Sequence, residues 1–199
     1  MKFSKTDFGY DLPSELIAKY PSQQRTESKT LILDNKFTIQ FFKDTLNHFA
    51  EYDLVVLNET KVRPARILLQ KDSGGYVEIL ILQKKTKYRA VCLAKGLNRK
   101  KTNQTLYSTN FPVKIKIISN VSKGIEIEFD QDIDQLCTEI GQMPIPPYLG
   151  REAEKIDVER YQTVFANDER LGSAAAPTAS LHLDDAFLKN VEQLSLIHI

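Results

Sequence analysis

Apolar and polar residues alternate most regularly in the middle of the chain. In Val113-Lys114-Ile115-Lys116-Ile117, and again in Ile125-Glu126-Ile127-Glu128-Phe129, every second side chain is apolar. A period of two puts the apolar set on one face of a strand and the charges on the other. Residues 76–82 and 88–93 read as two more half-buried strands, with a turn at Gly74-Gly75 before the first and a turn over 120–124 between the alternating pair. Residues 67–139 therefore read as a separate small all-β unit. Ahead of it, Leu31-Ile32-Leu33 and Leu54-Val55-Val56-Leu57 are short apolar runs bounded by polar residues, which predicts buried strands.

Helical signals flank this unit. Residues 12–18 predict a short helix, with Pro13 suited to the first helical position and Pro21 closing the segment. Pro144-Ile145-Pro146-Pro147 excludes a helix interior and predicts a stiff, extended return crossing. Asp157 suits the cap of a helix running through Val158, Tyr161, Gln162 and Phe165, and residues 172–177 are small and turn-like. Asp184 suits the cap of a final helix with Phe187, Leu188, Val191 and Leu194 on one face. No cap or closing strand is recognisable after it, and the sequence from about Ser195 looks cut rather than completed.

Composition changes this picture little. A chain of 199 residues accommodates one core, or one domain carrying a smaller inserted one. No stretch approaches the roughly 20 apolar residues of a membrane span, and the first residues lack the apolar middle of a signal peptide. Cys92 and Cys137 are the only cysteines and neither has metal-ligand spacing around it, so free, buried thiols in a reducing cytoplasm are the expectation. The net charge is only +1, but its distribution is uneven. Residues 79–125 contain no Asp or Glu and eleven Lys or Arg, and an acidic run from Glu126 to Glu139 follows. Two readings stand open: a face prepared for a polyanion, or a solvated lysine-rich surface. Phosphate-binding glycine loops, a nucleophile elbow and clustered metal ligands are all missing from the sequence.

Four longer segments carry more. They are Phe8-Gly9-Tyr10-Asp11-Leu12-Pro13 with Leu16-Ile17-Ala18, Tyr20-Pro21 and Arg25; Leu57-Asn58-Glu59-Thr60-Lys61-Val62-Arg63-Pro64-Ala65-Arg66; Gly141-Gln142-Met143-Pro144-Ile145-Pro146-Pro147-Tyr148 with Arg151; and Arg160-Tyr161-Gln162-Thr163-Val164-Phe165-Ala166 leading to Gly172-Ser173-Ala174-Ala175-Ala176-Pro177-Thr178-Ala179-Ser180-Leu181-His182. In this order and spacing the chain resembles the S-adenosylmethionine:tRNA ribosyltransferase-isomerase family of queuosine biosynthesis. It departs from the family pattern at Lys61, Gln142, Ser180, Leu183 and Asp184, and family members run on well past residue 199. The basic β segment matches only loosely.

The resemblance implies a mixed α/β main domain formed by residues 1–66 and 140–199, C-terminally incomplete, with a small all-β, barrel-like domain, residues 67–139, inserted in it. It implies that S-adenosylmethionine serves as ribosyl donor, without a metal. The acceptor is tRNA bearing 7-aminomethyl-7-deazaguanine at the wobble position, and epoxyqueuosine is the product. A cytoplasmic monomer with no membrane partner is expected. The chemistry asks for a base within reach of the sulfonium-adjacent ribose carbon, a donor to the departing adenine, an aromatic ring to hold the swung-out base, and cations for phosphates.

The resemblance points to His182, Tyr161 and Thr178 as catalytic residues, and to Arg160, Gln162, Ser173, Ala175 and Pro177 as binding S-adenosylmethionine. Asn58, Thr60, Arg66, Tyr148, Arg151 and Arg25 are the candidates for the tRNA. Each has a plainer alternative. His182 serves equally as a hydrogen-bonded histidine at a helix start, Arg160 as a surface ion pair, residues 173–178 as a packing turn, Asn58 as a turn cap, and Tyr148 as a core tyrosine. Tyr161, Gln162 and Thr163 are successive, so they cannot all face one way on a helix. Two other function classes remain: a non-catalytic RNA-binding protein using the basic β domain, and a methyltransferase, which the missing glycine-rich cofactor loop disfavours.

Overall fold

The computed structural model describes residues 3–33, 35–49, 54–108, 112–194 and 197–198. The fold is mixed α/β, with one large antiparallel sheet and few helices. In chain order the strands are β1 (Lys29–Leu33), β2 (Phe37–Phe41), β3 (Leu54–Val55), β4 (Thr60–Val62), β5 (Arg66–Gln70), β6 (Tyr76–Lys84), β7 (Arg89–Lys95), β8 (Asn103–Tyr107), β9 (Pro112–Val121) and β10 (Gly124–Phe129). Helix α1 (Ile133–Ile140) and β11 (Gly141–Gln142) follow, then α2 (Lys155–Arg160), β12 (Asn167–Ser173), α3 (Asp185–Gln193) and β13 (Ile197–His198).

Strands β5 to β11 form the large sheet, in the order β11-β5-β6-β7-β10-β9-β8. A further pairing, Gln70 with Tyr107, joins β5 to β8. The alternation read from the sequence decides which faces turn inward: Val113, Ile115, Ile117, Ile125, Ile127 and Phe129 are all buried, and the lysines and glutamates between them are not. With Ile67, Leu69, Val77, Ile79, Ile81 and Leu106 they form the main core, to which α1 adds Ile133, Leu136 and Cys137. Asp132 caps α1 by accepting a hydrogen bond from the Asp134 amide at 2.9 Å. The helix ends at Gly141, where a Cβ would stand 2.0 Å from the Pro64 carbonyl oxygen and 2.3 Å from that of Cys137, so no larger residue fits there. Burial pushes the Cys92 thiol up to about 12 and the Cys137 thiol up to about 11. Both are therefore thiols, not thiolates, at neutral pH.

The acidic run folds back on the basic stretch. Glu126 meets Lys85 at 2.9 Å, Glu128 meets Arg89 at 2.9 Å, Asp132 meets Lys87 at 3.2 Å, and Asp134 meets Lys84. Asp134 also reaches the buried Arg63 at 3.3 Å.

Outside the sheet several elements differ from expectation. The runs 31–33 and 54–57 are not buried: Leu33 is 71% exposed and Val56 78% exposed. β1 pairs with β2, and its side chains alternate between exposed and half-buried, with Lys29, Leu31 and Leu33 on the exposed face. The helix expected over residues 12–18 is a single 3-10 turn, Ser14–Leu16, with Pro13 just before it. Helix α2 starts earlier than expected and ends at Arg160; Glu154 is its cap, and Asp157 accepts the Glu154 amide as its third residue. Gln162 and Phe165 thus lie beyond it. Gly172 and Ser173 end a strand, β12, which pairs in parallel with β4. The final helix is as read: Asp184 accepts from the Phe187 amide at 2.8 Å, and Phe187 and Val191 are buried. A closing strand does follow it, with Ile197 pairing Leu54 and His198 pairing Val55. Ser195, Leu196 and Ile199 lie outside the described residues.

Candidate active site

Three chain segments, 18–28, 145–161 and 178–182, enclose a cleft of about 330 Å³. It brings together His182, Tyr161, Thr178, Arg160, Tyr148, Arg151 and Arg25. These come from positions up to 157 residues apart in sequence, so long-range polar contacts have to hold the walls in register.

Arg151 is the first clamp. Its Nη1 and Nη2 donate to Asp157 Oδ2 and Oδ1 at 2.7 and 2.8 Å, and its Nε donates to the Lys19 carbonyl at 2.7 Å. The guanidinium also lies 4.4 Å from the centre of the Tyr20 ring, whose hydroxyl donates to Glu154 Oε1 at 2.6 Å. The pair is nearly sealed, with side chains 10% and 4% exposed. The Arg151 hydrogen bonds hold the Asp157 carboxyl below its usual range against the cost of burial. A bidentate pair of this kind fixes geometry as well as charge.

Arg25 and Arg160 form a reciprocal pair of straps. Arg25, on the 18–28 segment, donates to the Leu181 carbonyl at 3.1 Å and the Glu159 carbonyl at 3.0 Å. Arg160, ending α2, reaches back to the Gln23 carbonyl at 3.2 Å and the Ser22 carbonyl at 2.9 Å. All four acceptors are neutral, so neither cation is cancelled at its point of contact. Burial and then the neighbouring Arg160 charge pull the Arg25 pKa down. The buried Arg160 Nε has no hydrogen-bond partner. Arg25 has Glu159, Asp184 and Asp185 near it and Arg151 is taken up by Asp157, so Arg160 is the cation of the cleft best placed to meet an anionic group, such as a carboxylate or phosphate.

His182 closes a 3-10 turn, Thr178–His182, and packs against Phe42 with ring centres 5.3 Å apart. Burial lowers its pKa, opposed by a hydrogen bond with the Arg25 backbone, so the imidazole is neutral at neutral pH and able to take a proton. Tyr161 sits just past α2 and is 8% exposed. Burial raises its pKa, while the Ala176 backbone amide pulls the other way; it stays protonated and can donate.

The remaining candidates lie elsewhere. Gln162 uses its amide on one strand residue, accepting from the Val62 amide at 2.9 Å and donating to the Val62 carbonyl at 2.6 Å. The Ser173 hydroxyl closes a local turn, donating to the Ala175 carbonyl at 2.7 Å, and Pro177 stands at the entrance to the 178–182 turn. Asn58 accepts from the Thr60 amide at 2.9 Å, the turn-cap alternative, and Thr60 opens β4. Arg66 pairs with Glu78 at 2.9 Å within the sheet. Sequence reasoning gave no role to Tyr20 or Phe42 and read Asp157 only as a cap. The Tyr20-Pro21 pair stood inside a quoted motif, but nothing local marked its partner 134 residues away.

The chain belongs to the family described as queuosine biosynthesis protein, whose model matches residues 5–197. It is 43% identical over 192 residues to the S-adenosylmethionine:tRNA ribosyltransferase-isomerase of Acinetobacter baumannii (strain SDF), covering 94% of this chain and 54% of that protein. Against the enzyme of the same name from Nitrosococcus oceani it is 38% identical over 192 residues, covering 94% and 55%. The crystal structure of S-adenosylmethionine tRNA ribosyltransferase from Thermotoga maritima aligns over 97% of this chain and 56% of that one, at 20% identity and a TM-score of 0.36. The chain spans about half the length of the curated relatives it matches.

Proposed function

We propose that the chain acts in ribosyl transfer from S-adenosylmethionine to 7-aminomethyl-7-deazaguanine at the tRNA wobble position, with isomerisation to epoxyqueuosine and release of adenine and methionine. The observation that carries this is the convergence in one cleft of His182, Tyr161 and Thr178 with two arginines whose hydrogen bonds, among the described residues, go to backbone carbonyls. In this reading His182 takes the proton from the sulfonium-adjacent ribose carbon, and its neutral imidazole suits it to that step. Tyr161 donates to the departing adenine, Thr178 positions the ribose, and Arg160 draws the methionine carboxylate. Tyr148, 65% exposed at the cleft, supplies a ring for the swung-out base. Arg25 and Arg151 support the walls, not the RNA. Residues 67–139 are a barrel-like domain inserted in a main α/β domain of residues 1–66 and 140–199; it is not all-β as expected, since α1 packs into its core. The Gln70–Tyr107 pairing, which ties β5 to β8, and a core distinct from the two smaller clusters support that division.

The test is adenine release. The protein is incubated with S-adenosylmethionine and tRNA carrying the aminomethyl base, and products are separated by chromatography. tRNA-dependent adenine release is expected, cut by roughly 100-fold or more in His182→Gln. The rate should fall only on the acid side of the ordinary imidazole value, about 6.5. Bound tRNA without adenine release favours the RNA-binding alternative, and S-adenosylhomocysteine would point to methyl transfer.

A further inference from the structure

The acid-free stretch 79–125 divides into two sets once folded. Lys84, Lys85, Lys87 and Arg89 are each bonded to a carboxylate of the following acidic run. Among the described residues, the other seven, Lys95, Arg99, Lys100, Lys101, Lys114, Lys116 and Lys123, have no ion-pair partner. Three of the second set, Lys101, Lys114 and Lys116, are gathered on one face. β8 ends the strand order, and its register on β9 sets Asn103 opposite Lys116 and Thr105 opposite Lys114. Because Val113, Ile115 and Ile117 turn inward, Lys114 and Lys116 point outward with Asn103 and Thr105. Lys101 joins these four around a shallow depression of about 450 Å³. Two acids border it. Glu128 is already bonded to Arg89 at 2.9 Å, and an oxygen of Asp130 accepts the Lys114 amide at 3.0 Å.

We propose that this outer face of β8 and β9, with the 99–101 turn, is a docking surface for an RNA phosphodiester backbone. This rests on the reading that tRNA is the partner. Lys114 and Lys116 stand two residues apart on one strand, roughly 7 Å along its axis, with an amide and a hydroxyl beside them. Cations interspersed with neutral donors match the groups that contact phosphates, which fix position without reading sequence. The paired set is disqualified by its own partners: a lysine already neutralised releases no counterions when RNA binds.

The test is a salt titration of tRNA binding by the whole chain. The variants are Lys114→Gln/Lys116→Gln and, from the paired set, Lys85→Gln/Lys87→Gln, whose partners Glu126 and Asp132 do not line the depression. All four side chains sit outside the core, and thermal melts confirm folding. The first pair is expected to flatten the log–log salt slope by roughly 1.5 and to weaken binding about 10-fold at low salt; the second is expected to leave the slope unchanged. Equal slopes in all three proteins, a larger loss in the second pair, or no tRNA binding at all would overturn the proposal. Adenine release is scored separately. A lysine-dependent slope without adenine release keeps this face and removes the ribosyl-transfer reading. Adenine release with an unaltered slope does the reverse.

Discussion

The large sheet and the cleft are held together by different physics. The sheet closes over one continuous core, in which Ile67, Ile79, Ile125, Ile127, Ile133 and Leu136 are completely buried. The cleft rests on two small apolar clusters, one around Val62, Met143, Ile145 and Tyr161 and one around Phe187 and Val191. Its walls are joined by guanidinium groups reaching carbonyls and a carboxylate across long stretches of sequence. Apolar burial is non-directional and tolerates small shifts, whereas a bidentate arginine holds one geometry. The sheet therefore supplies stability, and the arginine straps supply position.

The sharpest way to break this contrast is to empty the sheet's core. Ile127→Ala should cost about 4 kcal/mol, read as a shift in the urea midpoint. If the cleft region, followed through tyrosine near-ultraviolet signals, kept its own transition under that variant, the two regions would be energetically independent.

Next is the clamp. Arg151→Ala leaves the buried Asp157 carboxylate unpaired and should cost about 3 kcal/mol. Arg151→Lys should recover only part of this, because an ammonium cannot span both oxygens. Full recovery by lysine would mean that charge alone, not the fork, holds the wall.

Gln162→Ala strips the partners from both backbone groups of Val62 and should cost about 2 kcal/mol, seen as a lowered melting temperature. A further comparison uses pH. The folded-state pKa of Asp157 lies below its unfolded value, so the pair's stabilisation is complete above about 4 and is lost as pH falls from there through the folded value. Asp157→Asn should flatten the acid limb of the stability curve. An unchanged limb would place the acid sensitivity in other carboxylates. The smallest effect belongs to the exposed hairpin: Leu33→Ser should change stability by no more than about 0.5 kcal/mol, since its side chain is 71% exposed.

The sheet was the legible part of the sequence. Alternation in 113–117 and 125–129 is a local signal, and the side chains follow it residue by residue. The capped helix from Asp185 was legible for the same reason. An apolar run says nothing of what will cover it, so Leu31 and Leu33 were misread as buried. The site was half legible. Family resemblance pointed to the segment from Arg160 to His182, but the targets of Arg25 and Arg151 are carbonyls 156 and 132 residues away, which no local pattern encodes. Gln162 sat in the right motif and turned out to brace a strand. The division of the basic stretch became visible only when antiparallel pairing returned the acids to four of its eleven cations.

The reciprocal straps of Arg25 and Arg160 also set a timetable. Hairpins such as β9–β10 close short loops and form early, whereas joining residues 22–25 to residues 159–181 closes a loop that contains the entire sheet. On a ribosome the cleft lacks its third wall until Leu181 has been made. Loop-closure entropy predicts that it assembles after the sheet, whose strands and core are complete without it.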